Sequence, residues 1–335
     1  MALLPALLIP AGCRKSEPNA ARGLKRYEST REMMGTFVTV TLWAAGDDLA
    51  AKAGDAAFDQ IKEIDRLMSD YDPDSELSQI NREAFNRDVS ISDKMLDVLK
   101  VAFTYSELSE GAFDVTVRPL KTLWKSAGKT GVVPDDATID SVLASVGYKN
   151  VKLDVDNKTI RFLKPSMEID LGGIAKGYSA DLAAAELRKQ GIATALVNVG
   201  GNIVAVGTPP GSPAWKIGVQ DPNKRTDRLP EVLHLPAGSI ATSGDYERFV
   251  EISGKRFSHI VDPRTGQPIE NMSSVTVVAP NGITSDVLST TMSVMGAEQG
   301  LPLAARLAGV EVMFVVASAN GPTIIKSEGF DKFLK

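Results

Sequence analysis

The sequence predicts an α+β protein in which mainly antiparallel sheets pack against helices. Two observations favour this class. From residue 194 onward, short alternating apolar segments follow one another and are joined by Gly, Pro and Asp turns, as in successive β-hairpins. Strict alternation of strands with helices, which a doubly wound fold requires, is missing. Of the 335 residues, 43% are hydrophobic and 24% are charged, which suits a globular protein of one large domain or two ordinary ones.

Before that region, helices and strands are mixed. The segment "GTFVTVTLW" has the alternation and the β-branched residues of a strand. Apolar residues recur at helical spacing from Asp48 to Met68, and Ser92 is a good N-cap for a second helix that runs toward Gly111. The segment "SDYDPDSELSQIN" between these helices is expected to be a loop. The segment "VKLDVDNKTIRFL" predicts a hairpin that turns at residues 156–158.

The stretch "MEIDLGGIAKGYSADLAAAELRKQG" combines a strand, a turn and a helix. On the strand, Asp170 points away from the apolar face. Gly172 and Gly173 allow the backbone to approach a ligand closely. The helix begins near Lys176 and ends at Gly191, and its free N–H groups, together with the ammonium, attract an anion. The alternative is a plain turn in which Lys176 and Asp170 pair in water.

The strand-rich half is interrupted by one predicted helix, Ser285 to Met295. Asp286 and Thr290 lie four residues apart and therefore project from the same face of this helix. A carboxylate and a hydroxyl supply hard oxygen ligands, which suit Mg²⁺ better than a transition metal. The alternative is structural, with Ser285 or Asp286 capping the helix and Thr290 bonding back to a carbonyl.

The chain has two histidines. His259 lies in "RFSHIVDPRTG", where a predicted strand runs into an Asp-Pro turn, and histidine has the free pKa that best suits proton transfer near neutrality. It could equally be a strand residue bonded to the backbone, and His234 is predicted to be an ordinary strand residue. Further candidates, each of which is more often a packing residue when taken alone, are Met34, Tyr71, Phe113 and Asp114.

The N-terminal run "MALLPALLIPAGC" ends at Cys13, the one cysteine of the chain. It resembles a bacterial lipoprotein signal, with residues 1–12 as the signal-like segment, lipid on Cys13, and residues 13–32 as a polar linker. Two features depart from that pattern, because no basic residue precedes the run and Pro10 stands where leucine is usual. The alternative is a frayed terminus with a chance cysteine. We therefore expect export to the periplasmic face of a bacterial membrane, with a lipid anchor.

Two other kinds of protein are disfavoured. The formal net charge of -5 gives no basic footprint for nucleic acid. No apolar run approaches the ~20 residues that a membrane-spanning helix needs. Membrane attachment is thus expected through the lipid on Cys13.

Eight motifs follow one another along the chain: "MMGT", "LMSDYDPDSELSQIN", "GAFDVTVRPLKTLW", "DLGGIAKGYSAD", "VNVGGNIVAVG", "GDYERF", "FSHIVDPRTGQP" and "SDVLSTTMSVMG". Together they resemble the ApbE family, the FAD:protein FMN transferases, and the resemblance extends from Met33 to Phe330. It implies that residues 33–335 form one flavin transferase domain with the α+β fold of that family. The lipoprotein-like start fits as well, since bacterial members are often exported.

The resemblance also implies site residues. It implies FAD contacts at Met34, Tyr71, Ala112, Phe113, Asp114, Asp170, Lys176 and Ile260. It implies Mg²⁺ ligands at Asp286, Thr290 and the backbone carbonyl of Gly173. In this interpretation Lys176 and the helix start meet the phosphates of FAD, and His259 is the candidate base.

The implied reaction is phosphoryl transfer. A Thr or Ser hydroxyl of an acceptor protein attacks the FMN-side phosphorus of FAD, AMP leaves, and FMN stays joined through a phosphoester. Family acceptors include subunits of redox-driven sodium pumps and other exported flavoproteins. Two alternatives remain: an FAD pyrophosphatase, in which water replaces the acceptor, and a non-catalytic flavin-binding lipoprotein. Intact Asp286, Thr290 and His259 argue against the second alternative.

Overall fold

The computed structural model describes residues 23–220, 228–244, 249–270, 272–317 and 321–334. The signal-like segment, Cys13 and most of the "GDYERF" motif lie outside the described residues. Within those residues, no helix combines the length and the apolar character that crossing a membrane requires.

The helices are α1 (Asp47–Met68), α2 (Glu76–Glu83), α3 (Asp93–Leu108), α4 (Arg118–Thr130), α5 (Asp136–Leu143), α6 (Ala175–Lys189) and α7 (Gly282–Ala305). The strands are β1 (Lys25–Met33), β2 (Thr36–Ala44), β3 (Val89–Ser90), β4 (Val151–Asp154), β5 (Thr159–Phe162), β6 (Ala195–Val199), β7 (Asn202–Val206), β8 (Trp215–Gln220), β9 (Arg228–Leu235), β10 (Gly238–Gly244), β11 (Phe249–Ile252), β12 (Lys255–Ser258), β13 (Met272–Ala279), β14 (Glu311–Val316) and β15 (Thr323–Lys326).

A large antiparallel sheet organises the fold. Its strand order is β1-β2-β6-β7-β10-β13-β14-β15, and every neighbouring pair is antiparallel. Smaller sheets pair β3 and β4 with β5, β8 with β9, and β11 with β12. The α+β class with mainly antiparallel sheets is therefore confirmed.

Helices cover one face of the large sheet. α1 packs on α6 above β2, β6 and β7. Buried alanines let the two helices approach closely, and these are Ala53, Ala57, Ala180, Ala183 and Ala184. α7 packs beside them on β10 and β13, where Val287, Leu288 and Met292 are fully buried. The start of α6 and the start of α7 are thus brought together over the middle of the sheet.

The opposite face of the sheet is covered by the β8–β9 hairpin. Trp215 and Leu233 of this hairpin pack on Ile240 of the sheet, in a cluster that includes Phe330 near the C-terminus. The Trp215 ring also meets the Trp43 ring edge-on, with 5.3 Å between centroids. Both faces of the sheet centre are therefore buried, so the functional candidates lie at its helical side and edges.

A smaller layer of α4, α5 and the β11–β12 hairpin lies beside this core. Trp124 of α4 stacks on Phe257, with 5.2 Å between ring centroids, and its indole N–H donates to the Gly266 carbonyl at 2.8 Å. Leu120 and Ile139 complete the cluster. This packing fixes the loop that follows His259 against α4.

Most elements expected from periodicity are confirmed. They include the strand over residues 35–43, now β2, the helix from Asp48 to Met68, now α1, the helix capped by Ser92, now α3, and the 151–163 hairpin. Ser92 caps α3 as expected, because its side chain accepts from the Met95 N–H. α7 is longer than the predicted Ser285–Met295 helix, and its backbone is not helical at Gly296.

Other expectations were wrong. The segment around Met167 alternates buried and half-buried residues but is not a strand, since its backbone bonds are made to Asn81 and Val115 instead of a neighbouring strand. The expected loop "SDYDPDSELSQIN" contains most of α2, which Ser75 caps by accepting from the Ser78 N–H. β1 begins at Lys25, inside the range predicted as a polar linker, because it pairs along its whole length with β2.

Candidate functional site

The candidate site is built where α6 crosses the start of α7. A Cβ atom placed on Gly177 would lie 2.1 Å from the carbonyl oxygen of Gly282, so the two backbones are in direct contact there. Any larger residue at position 177 would push the helices apart. This contact sets Lys176 of α6 next to Asp286 of α7.

Asp286 is buried, with 3% of its surface exposed, and uses its two oxygens differently. Oδ2 accepts a hydrogen bond from the Gly177 N–H at 2.8 Å. Oδ1 lies 3.9 Å from the Lys176 ammonium. Burial raises the pKa of Asp286, while the Lys176 charge and the N–H groups of α6 act in the opposite direction.

The prediction that the start of α6 offers free N–H groups to an anion is wrong. Ala175 N–H donates to the Leu171 carbonyl at 2.9 Å, and the N–H groups of Lys176 and Gly177 point to the Asp286 carboxylate. The orphan donors of this helix end are therefore already satisfied within the protein. The Lys176 side chain is the remaining anion-binding group here, and its ammonium now donates to the Gly172 carbonyl at 2.7 Å.

Thr290 lies one turn after Asp286 and faces the glycine turn. A Cβ atom placed on Gly173 would lie 3.1 Å from Thr290 Oγ1 and 3.4 Å from the Phe113 ring. The structural alternative for this helix is wrong, because Asn281 caps it by accepting from the Thr284 N–H. Neighbouring hydroxyls bond back to helix carbonyls, but Thr290 Oγ1 makes no such bond within the described part of the chain.

These donors can accommodate a hard cation. Asp286 offers one carboxylate oxygen that is not bonded to an N–H, Thr290 offers its hydroxyl, and Gly173 lies against that hydroxyl. Among the residues that the structure describes, no three His, Cys, Asp or Glu side chains group to hold a metal. A set with one carboxylate and neutral oxygens suits Mg²⁺, which keeps several waters and binds few protein carboxylates.

Asp170 lies on the other side of the glycine turn and is paired with a lysine of α4. Lys121 Nζ lies 2.5 Å from Asp170 Oδ2, and the Gly172 N–H donates to Oδ1 at 2.8 Å. Burial alone would raise the pKa of Asp170, but the Lys121 charge and these hydrogen bonds outweigh it and hold that pKa below its usual value. Asp170 is therefore a charged, fixed acceptor beside the turn.

The Ala112–Asp114 segment places one ring at the site and fixes its own backbone. Phe113 is buried against Gly173. The Asp114 side chain points inward, where it accepts from the N–H groups of Thr116 and Tyr148 at 2.8 and 2.7 Å. Burial raises the pKa of Asp114. Its carboxylate thus holds the turn.

His259 follows directly after β12 and is half-buried; it lies in a bend, not inside a strand. Ile260 is buried, and its carbonyl accepts from the Ile269 N–H at 3.0 Å. The loop they begin reaches the segment before Ala112, because the Arg264 side chain would lie 3.7 Å from a Cβ atom on Gly111. The loop that begins with His259 and Ile260 thus reaches the segment before Ala112 through Arg264.

Met34 lies at the β1–β2 turn, and Tyr71 lies in the loop between α1 and α2. Met34 has a positive φ of 53°, and its N–H donates to Asp65 at 2.9 Å, so its side chain leaves a tight hairpin turn. Tyr71 is 76% exposed, and the Lys125 ammonium lies 5.8 Å from its ring centroid. A large exposed aromatic ring above α4 is available to stack on a planar ligand.

The basic residues of α4 were not predicted as site residues from the sequence. Arg118 bonds Asp70 and Glu168, both at 2.9 Å, and thereby ties the Tyr71 loop to the segment that carries Asp170. Arg118 and Lys121 are three residues apart and share a helix face. Pro119, at the first turn of α4, was the available signal that a helix begins there.

Proteins of one family are similar to this chain over most of its length. The ApbE family model matches residues 34–314. The chain is 33% identical to an FAD:protein FMN transferase of Vibrio cholerae, over 99% of this chain and 97% of the relative. It superposes on the crystal structure of an ApbE protein from Thermotoga maritima with a TM-score of 0.83 and 33% identity, covering 93% of this chain and all of that one. The flavin transferase ApbE of Vibrio cholerae gives a TM-score of 0.80 at 31% identity, covering 93% of this chain and all of that one. The chain belongs to the ApbE family.

Proposed function

We propose that this protein is an Mg²⁺-dependent FAD:protein FMN transferase. The observation that carries the proposal is the Thr290 hydroxyl, which is left without a helix partner beside Asp286, Lys176 and the glycine turn. The family assignment and the activity named for its relatives support the same conclusion.

The charges of the site explain why a cation is needed. Two carboxylates, Asp170 and Asp286, are each faced by one lysine, so the site has little net positive charge to receive a diphosphate. Phosphate oxygens beside Asp286 would be repelled in a place that burial shields from water. Asp286, Thr290 and the Gly173 carbonyl would hold a divalent cation, whose charge would offset that repulsion. When bound, Mg²⁺ neutralises charge on the diphosphate and orients it.

The remaining residues position FAD. The Lys176 ammonium lies beside Asp286 and donates to the Gly172 carbonyl. When FAD binds, it would exchange that carbonyl for a phosphate oxygen. Phe113 and Tyr71 offer aromatic rings, Asp170 offers a fixed acceptor, and Met34, Ala112, Asp114 and Ile260 complete the contacts that the family resemblance implies. Asp114 contributes by holding its turn, since both of its oxygens already accept backbone hydrogen bonds.

His259 is proposed as the base. It takes the proton of a Thr or Ser hydroxyl on the acceptor protein as that oxygen attacks the FMN-side phosphorus of FAD. The new P–O bond joins FMN to the acceptor, the bond to the bridging oxygen breaks, and AMP leaves. Positioning and charge neutralisation supply most of the catalysis in such a reaction.

An acceptor assay separates this activity from the two alternatives. The protein is incubated with FAD, Mg²⁺ and a threonine-bearing acceptor subunit of a redox-driven sodium pump, and the gel is imaged for flavin fluorescence. Fluorescence on the acceptor supports the transferase. AMP and free FMN with a dark acceptor would identify an FAD pyrophosphatase, and FAD binding without either product would identify a flavin-binding protein.

We also propose that the protein is exported and anchored by lipid on Cys13, at the periplasmic face of a bacterial membrane. The support is the apolar run that ends at this single cysteine. Acceptors in the same compartment would then meet the enzyme directly.

A further inference from the structure

One short pattern occurs in both helices of the site. It is a glycine followed four residues later by an aspartate: "GYSAD" carries Gly177 and Asp181 in α6, and "GITSD" carries Gly282 and Asp286 in α7. The spacing puts glycine and aspartate on the same face of each helix. The two glycines touch, since a Cβ atom on Gly282 would lie 2.4 Å from the Gly177 carbonyl oxygen.

Each aspartate caps the other helix. Asp286 of α7 accepts from the Gly177 N–H in the first turn of α6 at 2.8 Å. Asp181 of α6 accepts from the N–H groups of Gly282 and Ile283, the first residues of α7, at 2.6 and 2.8 Å. The contacts are therefore reciprocal, with the paired glycines at their centre.

Neither helix start is completed by its own chain neighbours. Ile174 stands at the N-cap of α6 and provides no side-chain hydrogen bond. Asn281 caps α7 but accepts from the Thr284 N–H, which leaves the N–H groups of Gly282 and Ile283 to Asp181. Unmet N–H groups at a helix end cost stability, so each helix start depends on the other helix.

We propose that Asp181 is a positioning residue for the cation and diphosphate site. It fixes the first turn of α7, and with it the direction in which Asp286 and Thr290 present their oxygens to Gly173 and Lys176. The inference rests on the proposed function for the identity of the cation. Asp181 itself touches neither the cation nor the substrate in this account.

The direct test measures metal affinity. Mn²⁺ is titrated into the protein and followed by EPR, with Mg²⁺ as competitor, for wild type and Asp181→Ala. Partners that orient metal ligands typically contribute 10–100-fold to affinity, and we expect Asp181→Ala to lose about that much. Asp181→Asn, which keeps one acceptor oxygen, should lose less and serves if the alanine variant does not fold.

The matched control is Asp135→Ala. Asp135 caps α5 by accepting from the Thr138 N–H at 2.8 Å, so this variant also removes a carboxylate cap, but from a helix outside the α6–α7 pair. It should lower Tm and leave metal affinity unchanged. Unchanged metal affinity in both Asp181 variants would overturn the inference, because Asp181 would then be an ordinary helix cap.

A second measurement needs neither metal nor FAD. Urea unfolding of Asp181→Ala, Asp286→Ala and the double variant forms a double-mutant cycle. Reciprocal capping predicts that the double variant loses clearly less stability than the sum of the single losses. Additive losses would overturn the reciprocal arrangement. Coupling and weakened Mn²⁺ binding without FMN transfer to any acceptor would instead refute the proposed function and leave the inference standing.

Discussion

At the scale of single residues, the two carboxylate oxygens of Asp286 have different surroundings, and we propose that one serves the fold and the other the cation site. Oδ2 accepts a hydrogen bond from the Gly177 N–H, and Oδ1 faces the Lys176 ammonium. Burial disfavours its charge, as the raised pKa shows. We therefore expect a neutral residue of the same shape to leave the protein at least as stable, as is typical of a site that needs charge for function.

Asp286→Asn tests this division of roles. The amide keeps an acceptor for the Gly177 N–H and removes the buried charge, so we expect a free energy of unfolding equal to or above that of wild type. Turnover that depends on Mg²⁺ should nevertheless be lost. Urea unfolding and FAD cleavage at limiting Mg²⁺ are the measurements, and wild-type turnover in this variant would remove Asp286 from the cation site.

Thr290→Ala provides the graded comparison. It removes one neutral ligand and leaves the carboxylate in place, so turnover should fall less than in Asp286→Asn and recover as Mg²⁺ is raised. Thr291→Ala is the matched control, because Thr291 is fully buried and its hydroxyl bonds back to the Val287 carbonyl at 2.7 Å. If both threonine variants behaved alike, Thr290 would have no special role.

His259→Ala separates mechanism from binding. A general base typically contributes ~10²–10⁴-fold to rate, and it acts on the incoming hydroxyl, so FAD affinity should stay near that of wild type while FMN transfer slows by about this factor. The defect should ease at high pH, where hydroxide partly replaces the base. Fluorescence quenching gives the FAD affinity. An equal loss of binding and rate would make His259 a ligand contact instead.

At the scale of elements, the sequence predicted what depends on local periodicity. α1, α3 and the hairpins follow from apolar spacing and caps within each segment. α4 was missed although Pro119 marks its start, and α2 was missed because its eight residues are few for a periodic signal. The Met167 segment shows the opposite error: its alternation is real, but its backbone partners come from residues distant in sequence, which alternation does not reveal.

The crossing of α6 and α7 depends on one glycine. Gly177→Ala adds a Cβ atom 2.1 Å from a backbone oxygen and 2.7 Å from Asp286 Cβ, so the helices must separate. We expect the free energy of unfolding to fall by about 1–3 kcal/mol, the range for overpacked sites, and FAD cleavage to be lost.

The control for Gly177→Ala is Gly54→Ala in α1, where an added Cβ atom meets nothing within 4 Å. Alanine favours a helix over glycine by roughly 0.5–1 kcal/mol, so this variant should be as stable as wild type or more so. If Gly177→Ala gained stability in the same way, the close approach of the two helices would be wrong.

At the scale of the whole molecule, the site joins distant parts of the chain. Asp70, Arg118 and Glu168 connect three segments, and Lys176 meets Asp286 across more than a hundred residues. The sequence could name Asp170, Lys176, Asp286 and Thr290 as candidates from residue type and family resemblance. It could not show that Asp286 occupies the N–H groups expected to bind phosphate, because that contact exists only after α6 and α7 pack.

The proposed lipid anchor is also tested at the scale of the whole chain. Cys13→Ser, expressed with the native N-terminus, should leave the protein unlipidated and in the soluble fraction, while wild type is found with membranes. Fractionation and intact mass spectrometry provide the measurement. A soluble wild-type protein that retains Met1 would contradict the lipoprotein interpretation.

The central claim is that FMN passes from FAD to a protein hydroxyl, and the stoichiometry of products tests it most directly. Wild-type protein is incubated with FAD, Mg²⁺ and a sodium-pump acceptor subunit, then AMP is quantified by chromatography and the acceptor by intact mass. We predict one AMP for each acceptor that gains FMN less one water, and no gain on an acceptor whose target threonine is replaced by valine. AMP accompanied by an equal amount of free FMN, with the acceptor mass unchanged, would contradict the account.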